Sequence, residues 1–368
     1  MKLADIIRRY RPELERQYGC ELLPEQRRAL DSIARCQRPE AGQSLMGCPA
    51  CGTTHVHNHS CGHRSCPQCQ NHLTSEWLAR QRKKLLPVPY YLVTFTLPRE
   101  LRHAAYKNQR VVYESLLSAA VRAIQTVAAD PRHLGAEVGI TAVLHTHARN
   151  LDFHPHVHLV VPAGGIDTKE RLWKAGKRHY LFSVDVLRIL FREKLLAALR
   201  KTGLYYPKAL HNRQWVVHVR AAGRGEHALE YLSRYLYRGV LSEKSIVADS
   251  EGQITFSYRE SKTNRRRTRT LPAPEFLLLL LSHVLPKRFR RSRDYGFLHG
   301  NAKAKLIAIQ LLLKASPKPS PLISKPPIAC PRCGADMVVI FIQKATRKHR
   351  RLPPKRAPPS QPELIWSS

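Results

Sequence analysis

Acidic residues are scarce in this chain, and a long apolar run is missing. Only 27 Asp and Glu stand against 62 Lys and Arg, which gives 368 residues a net charge of +35 at pH 7. The longest apolar run, Phe276 to Leu281, is far too short to cross a bilayer, and the N-terminal residues lack the apolar segment of a secretion signal. We therefore expect a cytoplasmic protein without a membrane partner.

The excess of basic residues is greater than solubility requires, so the expected partner is a polyanion, and nucleic acid is the most economical choice. A merely basic protein, for example one bound to ribosomes, is the alternative, because charge alone does not separate binding from chemistry. The chain also lacks a Gly-x-x-x-x-Gly-Lys loop for ATP. Any helicase that the activity requires is therefore expected to be a host protein.

Strand-like and helix-like segments alternate from Pro89 to Tyr258. This alternation predicts an α+β fold class, with helices packed on an antiparallel sheet. The expected order along the chain is N-terminal helices at 1–35, a small zinc-ribbon module at 36–75, the α+β domain at 88–260, a basic helical region at 261–315 and a disordered tail rich in Pro and Lys at 316–368.

Most of the nine cysteines lie in one segment that has few aliphatic residues. Such a segment cannot pack a core without a metal ion, and paired cysteines in a basic protein without a secretion signal indicate zinc rather than disulfides. The pairs Cys48/Cys51 and Cys66/Cys69 predict one structural zinc site with four thiolate ligands. The residues left over for a second site, with no unique assignment, are Cys36, Cys61, His55, His57, His59 and His63.

A further pair, Cys330 and Cys333, lies near the C-terminus with no cysteine after it. It represents half of a zinc site. Either the site is degenerate, or a histidine such as His349 completes it.

The segment from Phe153 to Val161 reads as a strand with a histidine at every second position. Side chains at alternate positions leave the same face of a strand, and neutral imidazoles converging there suit a divalent metal better than a core. His156 and His158 are the first two predicted ligands. The third is expected to be His145, which ends the preceding antiparallel strand, with His154 and then His147 as alternatives.

Tyr231 and Tyr235 lie four residues apart in a segment of helical periodicity, so they share one helix face. A tyrosine hydroxyl beside a metal ion can act as the nucleophile in phosphodiester cleavage, whereas isolated tyrosines are more often core aromatics. Basic side chains flank this pair and also form a run after it, which is either a DNA-backbone contact or a solvated loop. The predicted DNA-binding residues are Arg234, Arg238, Arg265, Arg266, Arg267 and Arg269.

An ordered series of motifs extends from about Cys36 to Leu313: the cysteine pairs, Thr94 to Leu101, Leu144 to Thr146, the histidine strand, the tyrosine pair and His283 to Phe297. In this order they resemble the rolling-circle insertion-sequence transposases of the IS91 family. Two positions depart from the family pattern: His147 stands where an aromatic residue is common, and His59 stands where asparagine is frequent.

The resemblance implies a zinc-binding N-terminal domain followed by an HUH endonuclease core. It implies that Mg²⁺ or Mn²⁺ is bound by His156 and His158, and that Tyr231 and Tyr235 are the nucleophiles. The expected activity is cleavage of single-stranded DNA at the ends of the mobile element, through a 5′-phosphotyrosine, followed by rejoining at a target site.

Three other functions compete with this one. A plasmid replication initiator or a conjugative relaxase shares the HUH chemistry, although the N-terminal cysteines and the His283 to Phe297 block favour transposition. A non-catalytic zinc protein that binds DNA requires the histidines and the tyrosines to be structural together. A zinc hydrolase leaves both the charge and the tyrosines unexplained.

Overall fold

The computed structural model describes residues 1–69, 71–176, 183–236, 239–260, 263–315 and 327–345, without the side chains of Asn71, His72, Arg234 and Tyr235. These residues fall into two compact units. The first consists of Met1–Cys36 and Ser60–Pro327, and the second of Gln37–His59 and Ile328–Ser368.

The helices and strands follow one another as the α+β prediction requires. The described α-helices are α1 (Leu3–Tyr18), α2 (Pro24–Ala34), α3 (Asn71–Arg82), α4 (Arg102–Lys107), α5 (Gln109–Ala129), α6 (Val184–Lys201), α7 (Glu226–Leu236), α8 (Ala273–Leu281) and α9 (Lys303–Leu312). The described strands are β1 (Gln43–Gly47), β2 (Thr54–Asn58), β3 (Tyr90–Thr96), β4 (Ile140–His147), β5 (Phe153–Pro162), β6 (Gly164–Asp167), β7 (Leu172–Ala175), β8 (Val217–Ala221), β9 (Ile246–Ser250), β10 (Gln253–Arg259), β11 (Arg266–Pro272), β12 (Ser292–Tyr295) and β13 (Val338–Gln343).

A five-stranded antiparallel sheet forms the centre of the first unit, with the spatial order β12-β4-β5-β3-β8. Because side chains alternate along each strand, the sheet has two faces of different character. One carries Val93, Phe95, Leu144, Val157 and Leu159 into a single hydrophobic core, and we call it the apolar face. The opposite side of the same strands carries the predicted metal-binding histidines, and we call it the histidine face.

Helices α5 and α6 cover the apolar face. In α6 the buried residues Leu187, Phe191, Leu195 and Leu199 recur every four positions, so they form one stripe along the helix. Phe191 packs on Phe95 of the sheet with ring centroids 4.9 Å apart. The helix begins at Ser183, whose hydroxyl accepts a hydrogen bond from the backbone N–H of Val186.

Helices α3 and α7 pack on the histidine face. Trp77 of α3 and Leu229 and Leu232 of α7 are buried against Val143 and Val160 of the sheet. Ion pairs from Arg82 to two glutamates of α7 join the helices to each other. This packing fixes α7, the helix with the tyrosine pair, against the strands that carry the histidines.

A second core joins the N-terminal helices α1 and α2 to α8 and to the three-stranded sheet β11-β10-β9. Two elements here and nearby differ from what the sequence predicts. The pattern of residues 101–129 predicts one helix, but the structure has two, because Asn108 adopts a non-helical backbone conformation between α4 and α5. The basic run forms β11, which pairs along its whole length with β10.

Strand pairing crosses two of the predicted domain boundaries. The boundary at 260/261 cuts the β10–β11 hairpin, so the basic run belongs to the same fold as the strand before it rather than to a separate helical region. The tail predicted to be disordered contains β13, which pairs with β1 from the predicted zinc-ribbon module. Residues 316–326 and 346–368 of that tail lie outside the described residues.

In the second unit, β13, β1 and β2 form an antiparallel sheet with β1 in the centre. Side chains that form its small core are Met46, Cys48, Cys330 and Met337.

None of the helices in the described ranges combines the length and apolar character that a bilayer crossing requires.

Candidate metal and nucleophile site

The β4–β5 hairpin places the three predicted ligands on one face. His145 lies directly opposite His156, and His158 lies opposite Val143. The turn is closed by backbone hydrogen bonds from Ala148 N to Asp152 O and from Leu151 N to Ala148 O, both of 3.0 Å. Residues 145, 156 and 158 therefore converge because of strand register alone.

The candidate ligand atoms of these three histidines all lie within 4.8 Å of one another. The ring centroids of His145 and His158 are 4.6 Å apart, and those of His156 and His158 are 4.8 Å apart. This spacing lets three imidazole nitrogens reach one ion.

Neighbouring groups orient two of the rings. His156 Nδ1 lies 2.7 Å from the backbone oxygen of His154, and His158 Nδ1 lies 2.9 Å from the hydroxyl oxygen of Thr94. With a proton on each Nδ1, the rings donate these hydrogen bonds and keep Nε2 as the available donor atom for a metal. His158 Nε2 is buried and has no hydrogen-bond partner among the described residues. The site thus fits a divalent ion.

Burial keeps these imidazoles neutral. It lowers the pKa of His156 to about 4 and, with His156 nearby, that of His158 to about 3. The pKa of His145 is held well below its ordinary value by burial and by the neighbouring histidines. Neutral imidazole is the form that binds metals, so the ligands need no deprotonation at neutral pH.

The two alternative ligands lie outside this group of three. His154 Nδ1 is 2.6 Å from the Arg102 guanidinium. His147 is displaced by a register shift between His145 and His147, which pairs it with Phe153. Its ring packs against His283, with centroids 5.5 Å apart. It also stacks on the His145 ring, with centroids 6.2 Å apart, but His147 does not belong to the group of three whose ligand atoms lie within 4.8 Å of one another.

Tyr231 of α7 reaches the histidines. Its ring centroid is 5.9 Å from that of His158 and 6.4 Å from that of His145. Tyr235 follows one helical turn later in the same helix, but its side chain and that of Arg234 lie outside the described residues, as does Arg238 entirely. The structure thus brings together four of the predicted residues, His145, His156, His158 and Tyr231.

The arginines of the basic run differ from one another in their surroundings. Arg265, Arg266 and Arg267 are exposed, on or beside β11. The Arg269 guanidinium, in contrast, donates to the carboxylate of Asp152 at 2.7 Å and to the backbone oxygen of Asn150 at 3.1 Å. Arg269 therefore joins the basic hairpin to the turn that sets the histidine register.

The structure does not bring together the four cysteines of the predicted zinc site, Cys48, Cys51, Cys66 and Cys69. The structure separates the two pairs into different groups, each of four sulfur atoms within 4.8 Å of one another. Each pair is completed by cysteines that the sequence left unassigned. One group is Cys36, Cys61, Cys66 and Cys69, and the other is Cys48, Cys51, Cys330 and Cys333.

Sequence reasoning missed Thr94 as the group that orients His158. The signal was present, because Leu92, Thr94 and Thr96 occupy every second position of a predicted strand and so share one face. Pairing of this strand with the histidine strand could have placed Thr94 beside a histidine. It also left Cys330 and Cys333 as half of a site. The glycine after each second cysteine was the missed signal, since Cys51-Gly52 matches Cys333-Gly334, whereas Cys69 is followed by glutamine.

Comparisons with known proteins match most of the chain. A family model described as "Putative transposase" matches residues 139–305, and one described as "Transposase zinc-binding domain" matches residues 6–97. The chain is 35% identical over 343 residues to "Putative transposase y4qJ" of Sinorhizobium fredii, covering 87% of this chain and 86% of the relative. It is 29% identical over 349 residues to the transposase for insertion sequence element IS801 of Pseudomonas savastanoi pv. phaseolicola, covering 81% and 80%.

Among solved structures, the conjugative relaxase TrwC in complex with a 27-mer DNA matches with a TM-score of 0.26 and 16% identity. The match covers 61% of this chain and 73% of the relaxase chain.

Proposed function

Because the chain belongs to the IS91 family of transposases, with a zinc-binding domain followed by a Y2 transposase domain, we propose that it moves its element by rolling-circle transfer of a single strand. Tyr231 and Tyr235 are the nucleophiles. They cleave single-stranded DNA at the element's ends and later rejoin it at the target.

The observation that carries this proposal is the position of Tyr231 beside the histidines, with its ring centroid 5.9 Å from that of His158. An isolated tyrosine in a core has no need of three neutral imidazoles next to it, two of them buried and one half-buried. A tyrosine that attacks a phosphate does, because its hydroxyl, with a pKa of about 10, is a weak nucleophile without help.

His145, His156 and His158 would hold the metal of this site. A bound Mg²⁺ or Mn²⁺ would supply positive charge for the scissile phosphate and for the departing 3′ oxygen. Thr94 and the backbone oxygen of His154 keep the rings of His158 and His156 oriented for that task.

Cleavage forms one bond and breaks another. The hydroxyl of Tyr231 loses its proton as its oxygen bonds to phosphorus, and the bond from phosphorus to the 3′ oxygen breaks. The 3′ oxygen takes up a proton and leaves as a hydroxyl, so protons balance overall. The 5′ phosphate stays on the tyrosine. Since the phosphotyrosine keeps the energy of the original diester, the reverse attack rejoins the strand without a nucleotide cofactor.

Tyr235 allows a second cleavage while the first strand is still covalently held, because it follows Tyr231 by four residues in α7. Arg234 and Arg238, on either side of Tyr235 in sequence, are proposed to contact phosphates. Exposed Arg265, Arg266 and Arg267 are proposed to track the DNA backbone, so binding should weaken steeply with salt. Arg269 takes part through its contact with the hairpin turn.

Cys36, Cys61, Cys66 and Cys69 are proposed to bind a structural zinc ion. The sulfur atoms of Cys36 and Cys69 are 3.5 Å apart, as are those of Cys61 and Cys69. Zn–S bonds of about 2.3 Å in a tetrahedron give sulfur separations of roughly 3.8 Å. The group therefore needs only a small adjustment to accept the ion, and its sulfurs lie inside the core that α1 and α2 share with α8.

The test uses labelled single-stranded oligonucleotides that carry the element's ends, incubated with the full chain and Mg²⁺ or Mn²⁺, followed by denaturing gels. We expect a metal-dependent covalent protein–DNA band in the wild type and none in the Tyr231→Phe/Tyr235→Phe double variant. Tyr205→Phe is the matched control, because Tyr205 is an exposed tyrosine at 85% relative accessibility.

Tight, salt-sensitive binding without any covalent band would contradict the proposal and favour a DNA-binding protein without catalysis. A covalent band that forms equally well on oligonucleotides unrelated to the element, with no joining to a target strand, would keep the chemistry but exclude the transposition step.

A further inference from the structure

Two short segments far apart in the chain fold into the same turn in the second unit. They have the sequences Cys48-Pro-Ala-Cys51-Gly52 and Cys330-Pro-Arg-Cys333-Gly334. In each, the first cysteine's carbonyl accepts a hydrogen bond from the glycine N–H, at 3.0 Å in the first and 2.9 Å in the second.

The backbone hydrogen bonds and conformations next to the two turns also match. The N–H of Cys48 donates to the oxygen of Thr53 at 2.9 Å, and the N–H of Cys330 donates to the equivalent oxygen of Ala335 at 2.7 Å. Both glycines adopt the left-handed conformation, with φ of 69° at Gly52 and 75° at Gly334. A side chain there would be strained, so glycine is required for this turn.

The turns bring their sulfur atoms together in pairs. Cys48 Sγ lies 3.5 Å from Cys333 Sγ, and Cys51 Sγ lies 3.6 Å from Cys330 Sγ. A disulfide needs about 2.05 Å, whereas two thiolates on one tetrahedral zinc ion stand roughly 3.8 Å apart. Four soft sulfur donors select zinc over Mg²⁺ or Mn²⁺.

Apart from these sulfur atoms, the described residues of the unit provide only a small apolar core to hold it together. Its buried core consists of Met46 and Met337 besides two of the cysteines themselves. All six residues of β13 are exposed, including the apolar Ile340 and Phe341. A unit with so small an apolar core does not fold without a metal or a covalent cross-link.

We propose that Cys48, Cys51, Cys330 and Cys333 bind one zinc ion, and that this ion holds the segment 328–343 on the β1–β2 hairpin. The matched zinc-binding domain ends at residue 97 and the matched transposase domain at residue 305, so Cys330 and Cys333 lie beyond both. We call this the C-terminal zinc site. The chain then binds two zinc ions, and each of the predicted cysteine pairs serves a different one.

The first experiment counts zinc in the purified full chain by native mass spectrometry and by elemental analysis. We expect two ions in the wild type and one in the Cys330→Ser/Cys333→Ser variant. The Cys61→Ser/Cys66→Ser variant should also keep one, at the other site. Cys20→Ser is the matched control with two ions, since Cys20 is exposed and belongs to neither group.

The second experiment separates metal loss from general misfolding by hydrogen exchange. Amides of β13 that pair with β1 should lose protection in Cys330→Ser/Cys333→Ser, while amides of β3 in the central sheet keep theirs. A Cys333→His variant, which retains a zinc ligand, should keep the second ion and the protection of β13. The wild type treated with a chelator should lose protection in β13, so the answer does not depend on variants that fold.

A single zinc ion in the wild type that remains in Cys330→Ser/Cys333→Ser would overturn the proposal, as would two ions in that variant. Protection of β13 that survives complete removal of zinc would also overturn it. None of these results depends on DNA cleavage, so the proposed function stands or falls separately.

Discussion

The two faces of the central sheet are built from the same strands but differ in the kind of side chain that they bury. On the apolar face Val93, Phe95 and Leu159 are completely buried among α5 and α6. On the histidine face the alternate positions of those strands carry Thr94 and His158, whose Nε2 is buried without a partner in the described residues. The apolar face therefore only stabilises the fold, whereas the histidine face combines the packing of α3 and α7 with polar groups that stability alone does not favour. Stability and chemistry should be separable by substitutions one residue apart.

The largest effect on stability should come from Phe95→Ala on the apolar face. Phe95 is fully buried against Phe191, so its removal should lower the free energy of unfolding by about 3–5 kcal/mol. Denaturant unfolding of the zinc-loaded chain measures it, and His156→Ala is the comparison on the other face, expected to change stability far less. Equal losses of unfolding free energy in the two variants would show that the two faces contribute equally to stability.

A change on the histidine face should instead abolish metal binding. In His156→Ala/His158→Ala we expect covalent DNA capture to fall by at least about 100-fold, because two of three ligands are lost. Mn²⁺ at 100 times its dissociation constant should stabilise the wild type by about 2.7 kcal/mol and leave this variant unchanged. Thermal unfolding with and without Mn²⁺ measures the difference. A variant still stabilised by Mn²⁺ would place the ion elsewhere.

Thr94→Val should have a smaller effect, confined to metal affinity. Valine keeps the volume but cannot pair with His158 Nδ1, so the ring loses its orientation and Mn²⁺ affinity should fall by about tenfold or more. Mn²⁺ titration by calorimetry measures it. Thr96→Val, two residues along the same strand, serves as the control with unchanged affinity.

The last effect is a dependence of stability on pH, which builds up over several pH units rather than following a single substitution. An unfolded histidine has a pKa of about 6.5, but burial lowers that of His156 to about 4 and that of His158 to about 3. Between these values the unfolded chain binds more protons than the folded one, so stability falls as pH falls from about 6.5 towards 4.

Each histidine should contribute about 1.4 kcal/mol per pH unit in that window. Urea unfolding of the chain, with no metal bound to the histidines, at several pH values measures how the free energy of unfolding changes with pH. His156→Asn/His158→Asn should have a shallower slope than the wild type, and equal slopes would show that these two side chains are not held neutral by burial.

Local sequence patterns predicted the strands and the histidine face well, because alternation along a strand decides which side chains share a face. His156 and His158 follow this rule, and pairing across one short turn adds His145. The cysteine pairing could not be found in this way. Cys48 and Cys333 are 285 positions apart, and no local period links residues at that distance.

The register shift between β4 and β5 could not be predicted from the sequence either. Between the pairs His145–His156 and His147–Phe153, β5 has one residue more than β4, and no local pattern marks that residue, so the sequence left His147 as an alternative ligand. The basic run was similarly ambiguous, since Arg265 to Arg269 have the composition of a loop. Only pairing with β10 makes this run a strand.

The number of histidines that converge also decides what else a metal at this site could bind. His147 follows His145 on the same face, and their rings stack with centroids 6.2 Å apart, but the group of ligand atoms within 4.8 Å of one another contains only His145, His156 and His158. Four protein ligands would close a tetrahedral site, which is the arrangement of structural metal centres, whereas three would leave one position for a phosphate oxygen. With His147 packed against His283 instead, a metal held by the three histidines would keep that position open.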